Sequence, residues 1–524
     1  MSRYRAVRVV GVALAVAASV VGVFCFVRRL PEERAAAPAA AKTTLRGVVE
    51  SDAGPLAGAV VRFKGSGEST LTDERGRFEL SRPAWRSNHD LIVTASQPGF
   101  FIGSVAADST ALRIQLTRLP AEDNENYRWV DPTPDANASH QCGNCHREMF
   151  DEWQASGHAT AATNRRFLNL YDGTDWHGRP GVGASLLADH PNGAGVCVSC
   201  HAPGLNLDDP AAIDIRKIRG VDALGVHCDF CHKVRDVSTD SVGLTHGRFG
   251  MQLLRPREGQ LFFGPLDDVD RGEDAFSPVQ RESRYCAACH EGVVFGVHVY
   301  STYSEWLASP AARDGRTCQS CHMTPTGRMT NIAPGSGGIE RDPRTLASHS
   351  FLPGGRDAML KRALDVHVAI QRATDETNGA TAIVRITPHD VGHRVPTGFI
   401  DRHLVLVVEP LDAQARPLAA ESELVLPPAA GQDFAGKPGR LFARLLTDQD
   451  GRGPVPFWQA TPDPLDTRLR PDEPVTTEFR LPAATRSVRT RLLYRRFWPA
   501  TSQEKSWPDD TLTIFDETRA VAME

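Results

Sequence analysis

Five short stretches decide how this chain reads: CGNCH at 142–146, CVSCH at 197–201, CDFCH at 228–232, CAACH at 286–290 and CQSCH at 318–322. Each sets two cysteines three positions apart, with a histidine directly after the second. Ten of the 11 cysteines fall in these copies, and the remaining one, Cys25, lies in an apolar stretch near the N-terminus. No thiols remain for a disulfide framework, so the motif itself must explain the paired cysteines.

Two thiols at this spacing can each add across a vinyl group of one heme, while the next residue supplies an imidazole to its iron. The spacing is short because both vinyls and the iron are fixed on one rigid ring. Zinc also accepts thiolates and imidazole, but its sites draw on sets of four ligands at variable spacing. An identical unit repeated five times favours heme. The expected cofactor is therefore five hemes c, held by Cys142, Cys145 and His146, by Cys197, Cys200 and His201, by Cys228, Cys231 and His232, by Cys286, Cys289 and His290, and by Cys318, Cys321 and His322.

The second axial ligand separates a wire from an enzyme, because iron with two imidazoles only exchanges electrons, whereas an open position admits a substrate. Of 18 histidines, five belong to the motifs, which leaves more candidates than irons. His158, His227, His298, His349 and His393 are the expected distal metal ligands. A helix running from the first motif through Phe150 and Trp153 would carry His158 too far along its axis to reach the first heme, so it is expected to ligate a neighbour. His140, His177, His190 and His246 stand in reserve, as do the thioethers of Met251, Met323 and Met329. The motif starts alternate long and short gaps, which suggests close pairing of hemes two with three and four with five.

Outward from the motifs, residues 140–353 offer too little chain per heme for a conventional core around each, and aromatic residues are only 7% of the sequence. The macrocycles are expected to fill the interior instead. Before this region, 45–118 reads as short alternating strands of a β-sandwich, followed by a linker at 119–139. After it, 354–524 begins with helical character and passes into strands of a second β-sandwich. Residues 1–34 contain the uncharged stretch Val9–Val27, which as a helix rising ~1.5 Å per residue just spans a bilayer core of ~30 Å. It reads as an uncleaved membrane anchor more readily than as a signal peptide, because charged residues intervene before the Ala/Pro linker at 35–44. Heme is attached to CxxCH outside the cytoplasm, so the remainder is expected on the periplasmic or equivalent face. The net charge of −5 excludes the basic excess that a nucleic-acid partner requires.

Two resemblances rest on particular residues. GPLAGAVV, TLTDERGRFEL and the strand ending in QPGF resemble a carboxypeptidase regulatory-like (transthyretin-like) domain, which implies a structural or adhesive module. CGNCHREMFDEWQASGHA, GVHCDFCH, and VYSTYSEWLASP running into CQSCHM resemble the multiheme cytochrome c superfamily that includes hydroxylamine oxidoreductase and the ammonia-oxidiser tetraheme cytochrome. SHSF and GHRVPTGFIDRH extend that similarity from Cys142 to His403. The resemblance implies thioether-bound hemes, mostly bis-histidine iron and closely packed porphyrins. Two departures bear on activity: no CxxCK of the multiheme nitrite reductases occurs, and neither Tyr300 nor Tyr303 can be assigned the crosslinked tyrosine of hydroxylamine oxidoreductase.

The expected fold is multidomain: an N-terminal membrane helix and a mainly helical, loop-rich multiheme cytochrome c domain flanked by two β-sandwiches. The expected function is electron transfer with redox partner proteins, favoured over a periplasmic oxidoreductase acting on a small nitrogen or sulfur compound at one open heme. No catalytic residue is assigned.

Overall fold

The computed structural model describes residues 44–81, 91–109, 111–372, 380–419, 422–462 and 464–522. The expected membrane anchor and the Ala/Pro linker lie outside them, apart from Thr44. Among the described residues no helix is long and apolar enough to cross a membrane. From Thr44 onward the chain forms one compact unit.

The first β region packs two four-stranded sheets face to face. Thr44–Ser51 runs antiparallel to Arg77–Ser81 and parallel to Ala111–Gln115. The second sheet orders Ser69–Leu71, Val60–Phe63, Ile92–Ser96 and Gly103–Ala106, all antiparallel. Alternation dictates the faces: Phe78 and Leu80 point inward from one strand, Leu112 and Ile114 from another, while their neighbours stay in solvent. Val49, Val61, Phe63 and Val93 complete the core. Gly47 has no substitute there, because a Cβ would meet the Leu112 carbonyl at 2.5 Å and the Phe78 ring at 2.6 Å.

The C-terminal region opens with the helix Gly355–Ala363 and continues into two sheets that share a core. One orders Leu364–Arg372, Ala380–Pro388 and Val475–Leu481; the other orders Gly439–Phe442, His403–Leu411, Ser487–Arg495 and Leu512–Ala520. His403–Leu411 is buried along nearly its whole length, as a central strand covered on both faces must be. Val384, Leu404, Leu406, Phe442, Phe479 and Leu492 fill the space between the sheets.

Between the two β regions the character changes. No helix in 140–353 exceeds eight residues, below the length at which a helix stands without tertiary support. Its buried apolar clusters are small and separate. Arg62 pairs with Asp267 at 2.7 Å and Lys64 with Asp270 on the N-terminal side. Arg468 reaches Glu305 at 2.6 Å on the other side. Short helices with little apolar core of their own need another filling, and the motifs sit where it would go.

Candidate functional site

Each motif occupies about one helical turn: Cys142–Cys145, Val198–His201, Cys228–Cys231, Arg284–His290 and Cys318–His322. Helical spacing puts positions one, four and five of CxxCH on one face, so both sulfurs and the imidazole share a side. Side chains fix two of these turns: Thr317 accepts the Ser320 amide at 3.3 Å, and His227 Nδ1 accepts that of Phe230 at 3.2 Å. Asp229 inside the third motif is fully buried and pairs with Lys233, while Tyr127 donates to it at 3.0 Å.

The motif imidazoles are aimed. Nδ1 of His146 bonds the Ile332 carbonyl at 2.8 Å, that of His201 the Ala161 carbonyl at 2.7 Å, that of His232 the Phe263 carbonyl at 2.6 Å and that of His322 the Phe351 carbonyl at 2.9 Å. A carbonyl only accepts, so Nδ1 carries the proton and Nε2 keeps its lone pair for a metal. Cys197, Cys200, Cys231, Cys286 and Cys289 lie deep in the fold yet are only half-buried, which is how side chains bordering internal space behave. Burial pushes the Cys197 thiol up to about 12 and the Cys231 thiol up to about 11. Among the described residues no three Cys, His, Asp or Glu side chains converge on a metal-ion site. The donor set therefore fits heme, whose ring holds iron by itself and asks the chain for two sulfurs and one or two axial groups.

Second imidazoles face two of these histidines. The rings of His158 and His290 are centred 6.2 Å apart, and those of His322 and His393 are centred 6.1 Å apart. One iron between two imidazoles sets ring centres about 6 Å apart, given metal–nitrogen bonds of about 2 Å. His349 lies in the field of His232 first and His146 second, with its Nδ1 bonded to the Ala347 carbonyl at 3.2 Å. Burial holds His158 and His349 neutral, with pKa values drawn down to about 4. His290 falls to about 3 through burial and the neighbouring His158, His322 and His393. His201 has different company. Phe167 stacks on its ring at 3.9 Å and 13°, and among the described residues no second imidazole bears on its charge.

The cysteines give the order of the sites. The sulfur of Cys142 lies beside Cys228, that of Cys200 beside Cys289, and that of Cys286 beside Cys318. Cys231 lies in the field of both Cys286 and Cys289. The first site therefore adjoins the third, the third adjoins the fourth, and the second and fifth each adjoin the fourth. The second motif meets the fourth through Cys200 and Cys289, a neighbour that the gap lengths did not suggest. Four and five do meet.

Other expected residues have different surroundings. His227 is fully buried, its Nε2 has no hydrogen-bond partner, and its charged neighbours are Asp229, Asp131 and Lys233. His298 Nε2 is held by Glu291 at 2.5 Å. His190 stacks on Phe295 at 4.3 Å, His140 and His177 are exposed, and His246 is half-buried. Met251 and Met323 are half-buried and Met329 is buried, with no imidazole shown opposite any of them. The helix expected to carry His158 ends at Gln154. Ser156 and Gly157 break it, and the Ser156 hydroxyl accepts the His158 amide at 3.2 Å. Tyr300, left unassigned by sequence, lies deep in the fold near Cys200, Cys197, Arg402 and Asp401. Burial raises Asp401 to about 7, with Trp498 donating to it. The carbonyl acceptors Ile332, Ala161, Phe263 and Phe351 carried no sequence signal, since every residue has a carbonyl; Phe167 offered only an aromatic residue on a short amphipathic helix.

Known proteins resemble this chain. The profile of the cytochrome c554 and c-prime family matches residues 141–233. The crystal structure of a penta-heme cytochrome c552 from Thermochromatium tepidum superposes with a TM-score of 0.51 at 24% identity, covering 72% of this chain and 97% of that one. The chain has a multiheme cytochrome c fold. No curated protein matches it. At 72% of the chain, the match is longer than the motif region alone.

Proposed function

We propose that this multiheme cytochrome carries five hemes c and transfers electrons among them on the extracytoplasmic face, anchored through its N-terminal segment and exchanging electrons with partner redox proteins. The observation that carries the reading is the pair of imidazole couples, His158 with His290 and His322 with His393, each spaced to bracket one iron. The cysteine contacts support a continuous relay through the fourth site, from which the second and fifth branch. Heme supplies the one-electron chemistry. The chain binds it through sulfur, orients the imidazoles through backbone carbonyls and buries the rings away from water. His349 serves the third or first iron in this reading. Paramagnetic resonance of the oxidised protein is expected to be dominated by low-spin signals; a majority of high-spin heme would contradict electron transfer as the main role.

A second reading has its own support. The absence of an imidazole bearing on His201 favours an open position at the second heme, with Tyr300 and Arg402 nearby. A periplasmic oxidoreductase acting there on a small nitrogen or sulfur compound would use that arrangement. Nitrite and hydroxylamine are then expected to perturb the spectrum of one heme. A spectrum unmoved by either removes the basis for this reading.

A further inference from the structure

The C-terminal region does more than cover the hemes: one of its side chains grips the segment that orients His201. Lys505 is fully buried, and its ammonium donates to the backbone carbonyls of Asn169 at 3.1 Å, of Ala184 at 2.9 Å and of Val182. Three protons meet three carbonyls. A buried ammonium is costly to desolvate, and such a cage is what makes it tolerable. The same stretch holds the helix Arg165–Asp172 at further points. Trp507 Nε1 donates to Asn169 Oδ1 at 2.9 Å, the Trp176 amide donates to the Lys505 carbonyl at 2.8 Å, and Arg166 donates to Asp510 at 2.7 Å and to the Pro508 carbonyl at 2.8 Å.

What that helix carries gives the grip its consequence. Phe167 lies on it and stacks on the His201 imidazole, and the Ala161 carbonyl that accepts from His201 Nδ1 stands just before its cap, Asn164. Both contacts that set the plane and tautomer of His201 thus come from 161–167. The acceptors for His146, His232 and His322 are Ile332, Phe263 and Phe351, outside that segment. Among the described residues no other motif histidine has an aromatic ring stacked so closely on it.

We propose that Lys505 is a positioning residue for the second heme site, holding the helix whose Phe167 and preceding Ala161 carbonyl orient His201. This rests on the heme reading above. Groups that orient a metal-bound imidazole tune the metal's affinity and potential through the ligand's basicity and plane.

The test uses the full chain matured with heme, comparing Lys505→Met and Phe167→Leu with Lys437→Met, whose ammonium makes a half-exposed pair with Glu409 at 2.9 Å. Paramagnetic resonance and midpoint potentials are read heme by heme. Lys505→Met and Phe167→Leu are expected to move the same single heme, by about tenfold in its reduction equilibrium, ~59 mV for one electron. Lys437→Met is expected to move none. A Lys505→Met protein that unfolds more easily but keeps every heme signal in place overturns the inference, as does a shift spread over several hemes or a different heme moved by Phe167→Leu. If Lys505→Met does not fold, Trp507→Phe removes one hydrogen bond to the same helix and is expected to move the same heme less; no movement overturns the inference. A chain that acquires no heme overturns the functional reading as well.

Discussion

His290 and His201 carry the same motif and stand in opposite surroundings. Around His290 gather His158, His322 and His393, and the cysteines of its motif touch those of both the second and the fifth. Around His201 stand a stacked phenylalanine and a backbone carbonyl, with no other imidazole bearing on it. The contrast teaches that CxxCH fixes how heme is attached but not what it does. In the proposed reading a site crowded by neighbouring imidazoles is a junction, whereas the site of His201, stacked by one phenylalanine and held through Lys505, is a terminus.

The sharpest way to break that comparison removes one heme from each place. Cys286→Ser with Cys289→Ser deletes the junction and is expected to prevent a folded, redox-connected protein, costing more than about 4 kcal/mol, as loss of a core-filling group does. Cys197→Ser with Cys200→Ser is expected to leave the other four hemes reducible together. Equal damage from both pairs, in heme content and in stopped-flow reduction, would erase the distinction. Next in size is ligand removal: His158→Ala opens the fourth iron and is expected to add one carbon monoxide-binding heme to whatever the parent protein shows. An unchanged carbon monoxide difference spectrum would place His158 elsewhere.

Smaller effects sharpen the same contrast. Phe167→Ala is expected to lower stability by about 2–4 kcal/mol in denaturant unfolding, through loss of its stack and apolar packing. The mildest effect concerns pH. Asp401 is raised from 3.8 to about 7 by burial, so between about pH 4 and 7 the folded state keeps a proton that the unfolded state has lost. Stability therefore falls as pH rises through that window. Asp401→Asn is expected to flatten the profile across that window. An unaltered pH profile would show Asp401 to be better solvated than its burial implies.

Much of this was legible in the sequence where chemistry is written in residue identity. The heme c chemistry could be read from cysteine pairs followed by histidine, which have few alternatives, and the strands of the N-terminal region could be read from alternation such as Phe78 and Leu80 against their exposed neighbours. Distal ligation was harder. His158, His349 and His393 stand near motif imidazoles or in their fields, His298 is hydrogen-bonded by Glu291 seven residues away, and His227 caps a turn through Nδ1 while its buried Nε2 has no hydrogen-bond partner; nothing local in the sequence separates these environments. The arrangement of sites was illegible for a different reason. Contacts such as Cys200 with Cys289 depend on how long loops return, and gap length carries no sign for that. The Lys505 clamp joins residues more than three hundred positions apart, and a lone lysine in a C-terminal segment gives no hint of it.

Junction and terminus alike require covalent heme at every motif, and intact-mass spectrometry of the full chain produced with a working cytochrome maturation system measures that directly. The expected result is a single species heavier than the polypeptide by five hemes, which survives denaturation. A polypeptide mass without them, or a stable population with fewer, would contradict it.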